Sequence, residues 1–177
     1  MRNTTLFLAA IISFFTAQGA IAAPNRLPNN AQYEVAFSPR GQSLSLILRL
    51  IAGAKKNILV AAYSFTSKPI AQALLAAHKR KVKVFVVADK KSNTGQYSAV
   101  NFLANQGVPV VLNAQYAIHH RKFMVVDGVH VQTGSFNYSA AAVNKNAENA
   151  LVLYDVPDLA YQYAQEWTRL WDEGDYL

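Results

Sequence analysis

The chain has 177 residues, 52% of them hydrophobic and 15% charged, which fits one ordinary folded domain and excludes a disordered tail or a low-complexity polymer. It contains no cysteine, so disulfide scaffolds, thiolate zinc sites, iron–sulfur clusters and cysteine nucleophiles are excluded together. The formal net charge of +7 favours an anionic partner without naming one.

Residues 1–22 read as a secretory signal peptide. Arg2 supplies the positive end, Leu6–Phe15 is an apolar run too short to span a bilayer, and Ala20-Ile21-Ala22 is a small-x-small cleavage pattern. Cleavage after Ala22 leaves residues 23–177 as a single exported domain, periplasmic or secreted. No later segment approaches the ~18 uninterrupted apolar residues of a membrane span, so no stable membrane insertion is expected after cleavage. Tyr33–Phe37 then reads as a strand, and Gln42–Ala54 has helical apolar spacing at Leu44, Ile47, Leu48 and Ile51. Ile58–Tyr63 reads as a buried strand, Lys68–Lys79 as a helix with Pro69 in its first turn, and Val82–Ala88 as another buried strand. Gln96–Asn105 is a helix ended by Gly107, and Val108–Leu112 a strand. His120–Val126 and Val129–Ser135 are strands joined by Asp127-Gly128, a two-residue hairpin signal. Ala150–Tyr154 is a strand and Asp158–Trp171 the final helix. This alternation predicts an α/β sandwich of helices around a central mixed β-sheet.

Charge is unevenly spread. Residues 23–146 hold 15 lysines and arginines against three acids, a balance of +12, whereas residues 147–177 hold seven acids and one base. Such a body fits a polyanion such as DNA, with RNA as a second candidate, better than a single lipid head group. Lys79, Arg80, Lys81 and Lys83, together with Lys90, Lys91 and Arg121, are the candidate phosphate contacts. Tyr97, Tyr116 and Tyr138 are candidates for stacking on bases.

The chemistry gathers in residues 119–137, HHRKFMVVDGVHVQTGSFN. A two-residue loop at Asp127-Gly128 makes Val126 face Val129, Lys122 face Thr133 and His120 face Ser135. Strand alternation then sets Lys122 beside His120 and Asn137 beside Ser135. An imidazole, an ammonium, a hydroxyl and a carboxamide on one side suit a phosphoryl group: Lys, Ser and Asn hold its oxygens, and His attacks phosphorus or moves a proton. Nothing in this set requires a metal or a cofactor.

His120-x-Lys122, four residues, Asp127, six residues, Gly134-Ser135-x-Asn137 resembles the signature of the phospholipase D superfamily, with six fixed residues at fixed spacing. Glu148 stands where that family often has an acid. One copy in a short chain is most similar to the small single-motif bacterial endonucleases of the superfamily. The resemblance implies that His120 is the nucleophile, forming a phosphohistidine, and that Lys122 and Asn137 hold phosphate oxygens. It implies that Ser135 supports the phosphate or the imidazole and that Glu148 hydrogen-bonds a ring nitrogen. Asp127 lies in the turn with the opposite strand parity to His120, so a structural role is expected for it, with Gly134 in support.

In-line displacement is helped by a nucleophile on one side of phosphorus and a proton donor on the other. One copy per chain therefore points to a two-fold homodimer in which each chain supplies one His120, the two imidazoles titrating as a coupled pair. The expected function is a metal-independent, sequence-nonspecific endonuclease. The alternatives are a phospholipase D or phosphatidyl transferase, and a nucleic-acid-binding protein without catalysis.

Overall fold

Two runs without polar alternation, Ile58–Ala62 and Val84–Ala88, lie side by side as parallel strands at the centre of the sheet, where burial on both faces calls for continuous apolar sequence. The structure is a computed structural model that describes residues 24–95 and 98–177; the expected signal peptide lies outside the described residues. One mixed sheet contains β1 (Gln32–Ser38), β2 (Asn57–Ala62), β3 (Lys83–Asp89), β4 (Val110–Asn113), β5 (Phe123–Val126), β6 (His130–Gly134), β7 (Glu148–Tyr154) and β8 (Asp175–Tyr176). Their order is β1-β7-β6-β5-β2-β3-β4-β8; β2, β3 and β4 are parallel and the other pairings antiparallel. The helices are α1 (Ser43–Gly53), α2 (Lys68–Lys79), α3 (Ala99–Asn105), α4 (Ala140–Asn144) and α5 (Pro157–Asp172). The architecture is the expected α/β arrangement of helices around a mixed sheet.

Side chains alternate between two cores. Val60, Val86, Val110 and Met124 point toward α1, α2 and α3, while Ala61, Val87, Val111 and Phe123 point toward α5. Helix α5 is pinned by Trp167, whose indole Nε1 donates to the Val60 carbonyl at 2.9 Å. Cross-strand pairing makes one row of Val35, Leu151, Thr133, Phe123, Ala61, Val87 and Val111 on the α5 side. The part of the row from Phe123 to Val111 belongs to the buried core under α5. The β1 end is left open: Tyr33, Val35 and Phe37 are 72%, 51% and 60% exposed.

Three local expectations are corrected. The hairpin pairs one residue out of the expected register: Val126 opposes His130, and Phe123, not Lys122, opposes Thr133. The turn itself forms as read, with Asp127 and Gly128 at φ +57° and +72° and Val129 N donating to Val126 O at 3.2 Å. However, the Val129 carbonyl accepts from Val156 N at 2.8 Å, so the ladder resumes only at His130. Secondly, β5 begins at Phe123 and β6 ends at Gly134, so His120, Lys122, Ser135 and Asn137 all lie outside the strands expected to carry them. Thirdly, α3 starts at Ala99, because Ser98 caps it by accepting from Val100 N; Gln96 and Tyr97 lie outside the described residues.

The parallel strands give the sheet a carboxyl end, where His120 lies, and an opposite, distal end. Tyr63 and Asp89 lie at the carboxyl ends of β2 and β3, and β5 enters there because Phe123 pairs with Ala61. Lys56 and Lys83 lie at the amino ends, about 20 Å away for six residues at about 3.3 Å each.

Candidate active site

The segment before β5 has no ladder hydrogen bonds of its own, so side chains hold it. Asp89 Oδ2 accepts from His119 N at 2.8 Å and its Oδ1 from Ser92 N at 2.7 Å. Asn93 donates to Tyr63 O and Asp89 O at 2.6 and 2.8 Å and accepts from Phe65 N at 3.0 Å. Both side chains are almost fully buried, and each bond satisfies a backbone group that would otherwise be stranded. Asp89 and Asn93 thus tie the exits of β2 and β3 to the peptide that carries His120. Sequence reasoning missed this role; the only trace is a carboxylate and an amide just after an apolar strand.

His119 faces inward and His120 outward. The His119 ring is buried with Nδ1 3.2 Å from the Ala62 carbonyl. Burial holds its pKa below the ordinary value against the opposing pull of that carbonyl and of Asp89. His120 is exposed, with its ring centroid 4.6 Å from that of Tyr63. Lys122 folds back so that Nζ donates to His120 O at 2.7 Å and lies 5.2 Å from the Tyr63 ring centroid. The two meet through this fold-back rather than by strand alternation. Lys122 is only 8% exposed. Burial lowers its pKa, and the nearby Glu148 carboxylate pulls it part of the way back.

The Gly134–Asn137 segment is set against β7. Ser135 N donates to Asn149 Oδ1, Asn149 N donates to Ser135 Oγ, and Ser135 Oγ donates to Glu148 at 2.6 Å. Glu148 accepts from Ser135 and from Asn146 Nδ2 at 2.9 Å, rather than from the His120 ring as the resemblance implies. Gly134 has φ +144°, and a Cβ there would lie 2.4 Å from Asn149 O, so only glycine permits this approach. Asn137 Oδ1 is buried without a hydrogen-bond partner, which leaves this amide a polar group still to be satisfied.

His120, Lys122, Thr133 and Gly134 line an open recess of about 430 Å³, walled on the α5 side by Gln162, Tyr163 and Glu166. Arg121 lines it too and pairs with Glu166 at 2.6 Å. Ser135 and Glu148 line a neighbouring recess with Phe37 and Asn149. Lys90 and Lys91 are at the carboxyl end with His120, beside Asp175 and Ala117 O. Lys79, Arg80, Lys81 and Lys83 are at the distal end, with Arg80 donating to the last carbonyls of α1. They are too far away to touch a phosphate at His120. Tyr138 is fully buried against Phe65 and is no stacking platform; Tyr116 is exposed, with its hydroxyl on Glu173 and Arg169. Asp127 is also distal. Its carboxylate accepts from the backbone N–H groups of Lys55, Lys56 and Asn57, at 2.7 Å for Lys56. Partial burial raises its pKa, the three donors outweigh this, and the net shift is downward.

An exposed imidazole beside a buried ammonium, with a hydroxyl, a carboxamide and a carboxylate on the adjoining segment, is a set whose chemistry suits a phosphoryl group. A family model described as "Cardiolipin synthase, PLD-like domain" matches residues 47–171. The chain belongs to the phospholipase D superfamily, a class of phosphodiester-processing enzymes. It is 42% identical to the crystal structure of Nuc, a phospholipase D family member from Salmonella typhimurium, with a TM-score of 0.82 over 83% of this chain and 98% of that one. It is 35% identical over 133 residues to a mitochondrial cardiolipin hydrolase of Xenopus laevis, covering 75% of this chain and 63% of that protein. A phospholipase D of Rickettsia conorii is 31% identical over 139 residues, 78% of this chain and 69% of the relative. The chain spans about three fifths of the length of the cardiolipin hydrolases of Xenopus laevis, Danio rerio and Xenopus tropicalis.

Proposed function

We propose that this protein is an exported phosphodiesterase that hydrolyses DNA, with RNA as a second substrate, without sequence preference. The observation that carries the chemistry is the outward-facing His120 at the mouth of a recess shared with Lys122. A ring nitrogen of His120 attacks phosphorus, the P–O bond to the leaving group breaks, and a second imidazolium protonates the departing oxygen. That second imidazole then takes a proton from water, whose oxygen attacks phosphorus and releases His120. Lys122 neutralises a non-bridging oxygen, the Asn137 amide donates to another, and Ser135, whose one hydroxyl proton is on Glu148, positions the segment that carries Asn137. These donors supply the positive potential, so cutting is expected to survive excess chelator.

The chain carries one histidine of this kind, so the proton donor comes from a second copy. The uncovered strands β1 and β7 are the surface for it. The Val35–Leu151–Thr133 row runs directly into the recess, which Thr133 also lines. Exposed apolar side chains at Tyr33, Val35 and Phe37 suit an isologous two-fold contact.

The +12 balance of residues 23–146 favours a polyanion as substrate, and the likeness to Nuc accords with the same reading. The likeness to cardiolipin hydrolases favours a lipid diester as the second reading. Trapping the enzyme–phosphate species and locating it by mass spectrometry tests the chemistry: an adduct on His120 is expected, and an adduct elsewhere overturns it. Matched assays on plasmid and phosphatidylcholine test the substrate, and activity on lipid alone overturns the nuclease.

A further inference from the structure

The loops at the distal end bring together basic residues that are scattered in sequence. Lys55 and Lys56 end the α1–β2 connection, Lys79 ends α2, and Arg80, Lys81 and Lys83 follow. Backbone pairing makes them neighbours: Lys83 N donates to Lys56 O at 3.0 Å, and the Arg80 guanidinium reaches Ile51 O and Ala52 O, just before Lys55. All six are exposed. Among the described residues, none of the six is in an ion pair.

The acid closest to them is Asp127, whose oxygens are occupied by the N–H groups of Lys55, Lys56 and Asn57. Asp155, in the β7–α5 connection, and Asp158, in the first turn of α5, follow β7, which β5 and β6 separate from β2. Six unpaired cations on one surface repel one another and cost the fold stability. Asp127 nevertheless fixes the backbone N–H groups of Lys55, Lys56 and Asn57, and the α1 carbonyls anchor the Arg80 guanidinium. Among the described residues, none of the exposed large apolar side chains lies beside them, whereas membrane docking uses an inserted apolar element.

We infer that this distal surface is a second polyanion site, which holds a segment of nucleic acid away from the one being cut. The inference rests on the nucleic-acid reading for its biological meaning, but not for its test. A long substrate engages both ends; a small diester reaches only the carboxyl end, at His120. Holding a second segment raises the local concentration of cleavable bonds at His120.

The experiment compares the mature protein with a K55Q/K56Q/K81Q/K83Q variant, which keeps Arg80 in place on α1. Both are made in an H120A background for binding to a 60-base-pair duplex across a salt series, and with His120 intact for cleavage. The slope of log affinity against log salt is expected to fall by up to about 3.6, on the order of 0.9 for each of the four phosphates no longer neutralised. The ratio of plasmid to bis(p-nitrophenyl) phosphate turnover is expected to fall about tenfold or more. An unchanged slope overturns the site, whether or not the protein proves to be a nuclease. A parent protein that cuts no nucleic acid, while the slope still falls in the variant, overturns the function and leaves the site. Vesicles of phosphatidylglycerol and phosphatidylcholine give the third arm: vesicle binding abolished in the variant with DNA affinity kept overturns nucleic acid as the partner. A thermal melt like that of the parent confirms that the variant is folded.

Discussion

The Ser135 hydroxyl donates to the Glu148 carboxylate at 2.6 Å and accepts from the Asn149 amide at 3.0 Å, so one oxygen joins the loop after β6 to two successive residues of β7. Replacing Ser135 with Ala strands both partners. The expected stability loss is about 1 kcal/mol, the net worth of an ordinary hydrogen bond. The expected loss in kcat is about tenfold, because Ser135 acts by positioning the segment that carries Asn137 and not by a proton of its own on the phosphate. Denaturant melts and steady-state kinetics on the same preparation separate the two effects.

Lys122 sets stability against activity. Burial holds its folded pKa below the ordinary 10.5, so the unfolded chain binds the proton more tightly. Its contribution therefore opposes folding at neutral pH, and stability rises as pH passes upward through the folded value toward 10.5. Lys122→Met is expected to melt no lower than the parent at pH 7 while cleavage falls on the order of a thousandfold. A clear drop in Tm would show that the bond from Nζ to His120 O outweighs the cost of burying the ammonium.

Asp127 has the opposite sign. Its carboxyl pKa is held below 3.8, so its stabilisation is complete above that value and is lost as pH falls through the folded value. Asp127→Ala is expected to cost on the order of 1–3 kcal/mol, as for hydrogen bonds to a charged group, and to flatten the acid limb of the stability curve. Because the turn is distal to His120, kcat on a small diester measured well below Tm is expected to stay within about twofold of the parent, whereas a hundredfold loss would place Asp127 in the chemistry.

A charge on the open sheet face tests the shared site. Val35→Asp puts a carboxylate in the Val35–Leu151–Thr133 row, where a two-fold contact would bury it twice. Sedimentation is expected to show a monomer, and specific activity to fall with it and recover as protein concentration rises. A fully active monomer would defeat the two-chain site.

The elements that run as periodic apolar sequence were legible, because burial dictates their pattern: β2, β3, α1, α2 and α5 fall close to where their spacing puts them. The site was legible in residue type and only partly in geometry. The Asp127-Gly128 turn forms as read, yet the Val129 carbonyl is captured by Val156, a contact between residues 27 positions apart in the chain that no local rule contains. That one bond moves the register and places Phe123, not Lys122, opposite Thr133. Asp89 and Asn93 were missed for the same reason, since a buried polar side chain is defined by what it meets after folding. The basic residues Lys79 to Lys83 were legible as charge but not as location, because parallel strands send them to the far end from His120.

The amides of Phe65, Ser92 and His119 come from three separate segments, yet all donate to the side chains of Asp89 or Asn93. No strand ladder protects them individually. Their exchange with solvent deuterium is therefore governed by a single opening, in which the rim around His120 loosens as a unit. Native-state exchange should report one shared rate for the three, slower than neighbouring loop amides, and that rate measures how often this edge of the sheet comes apart.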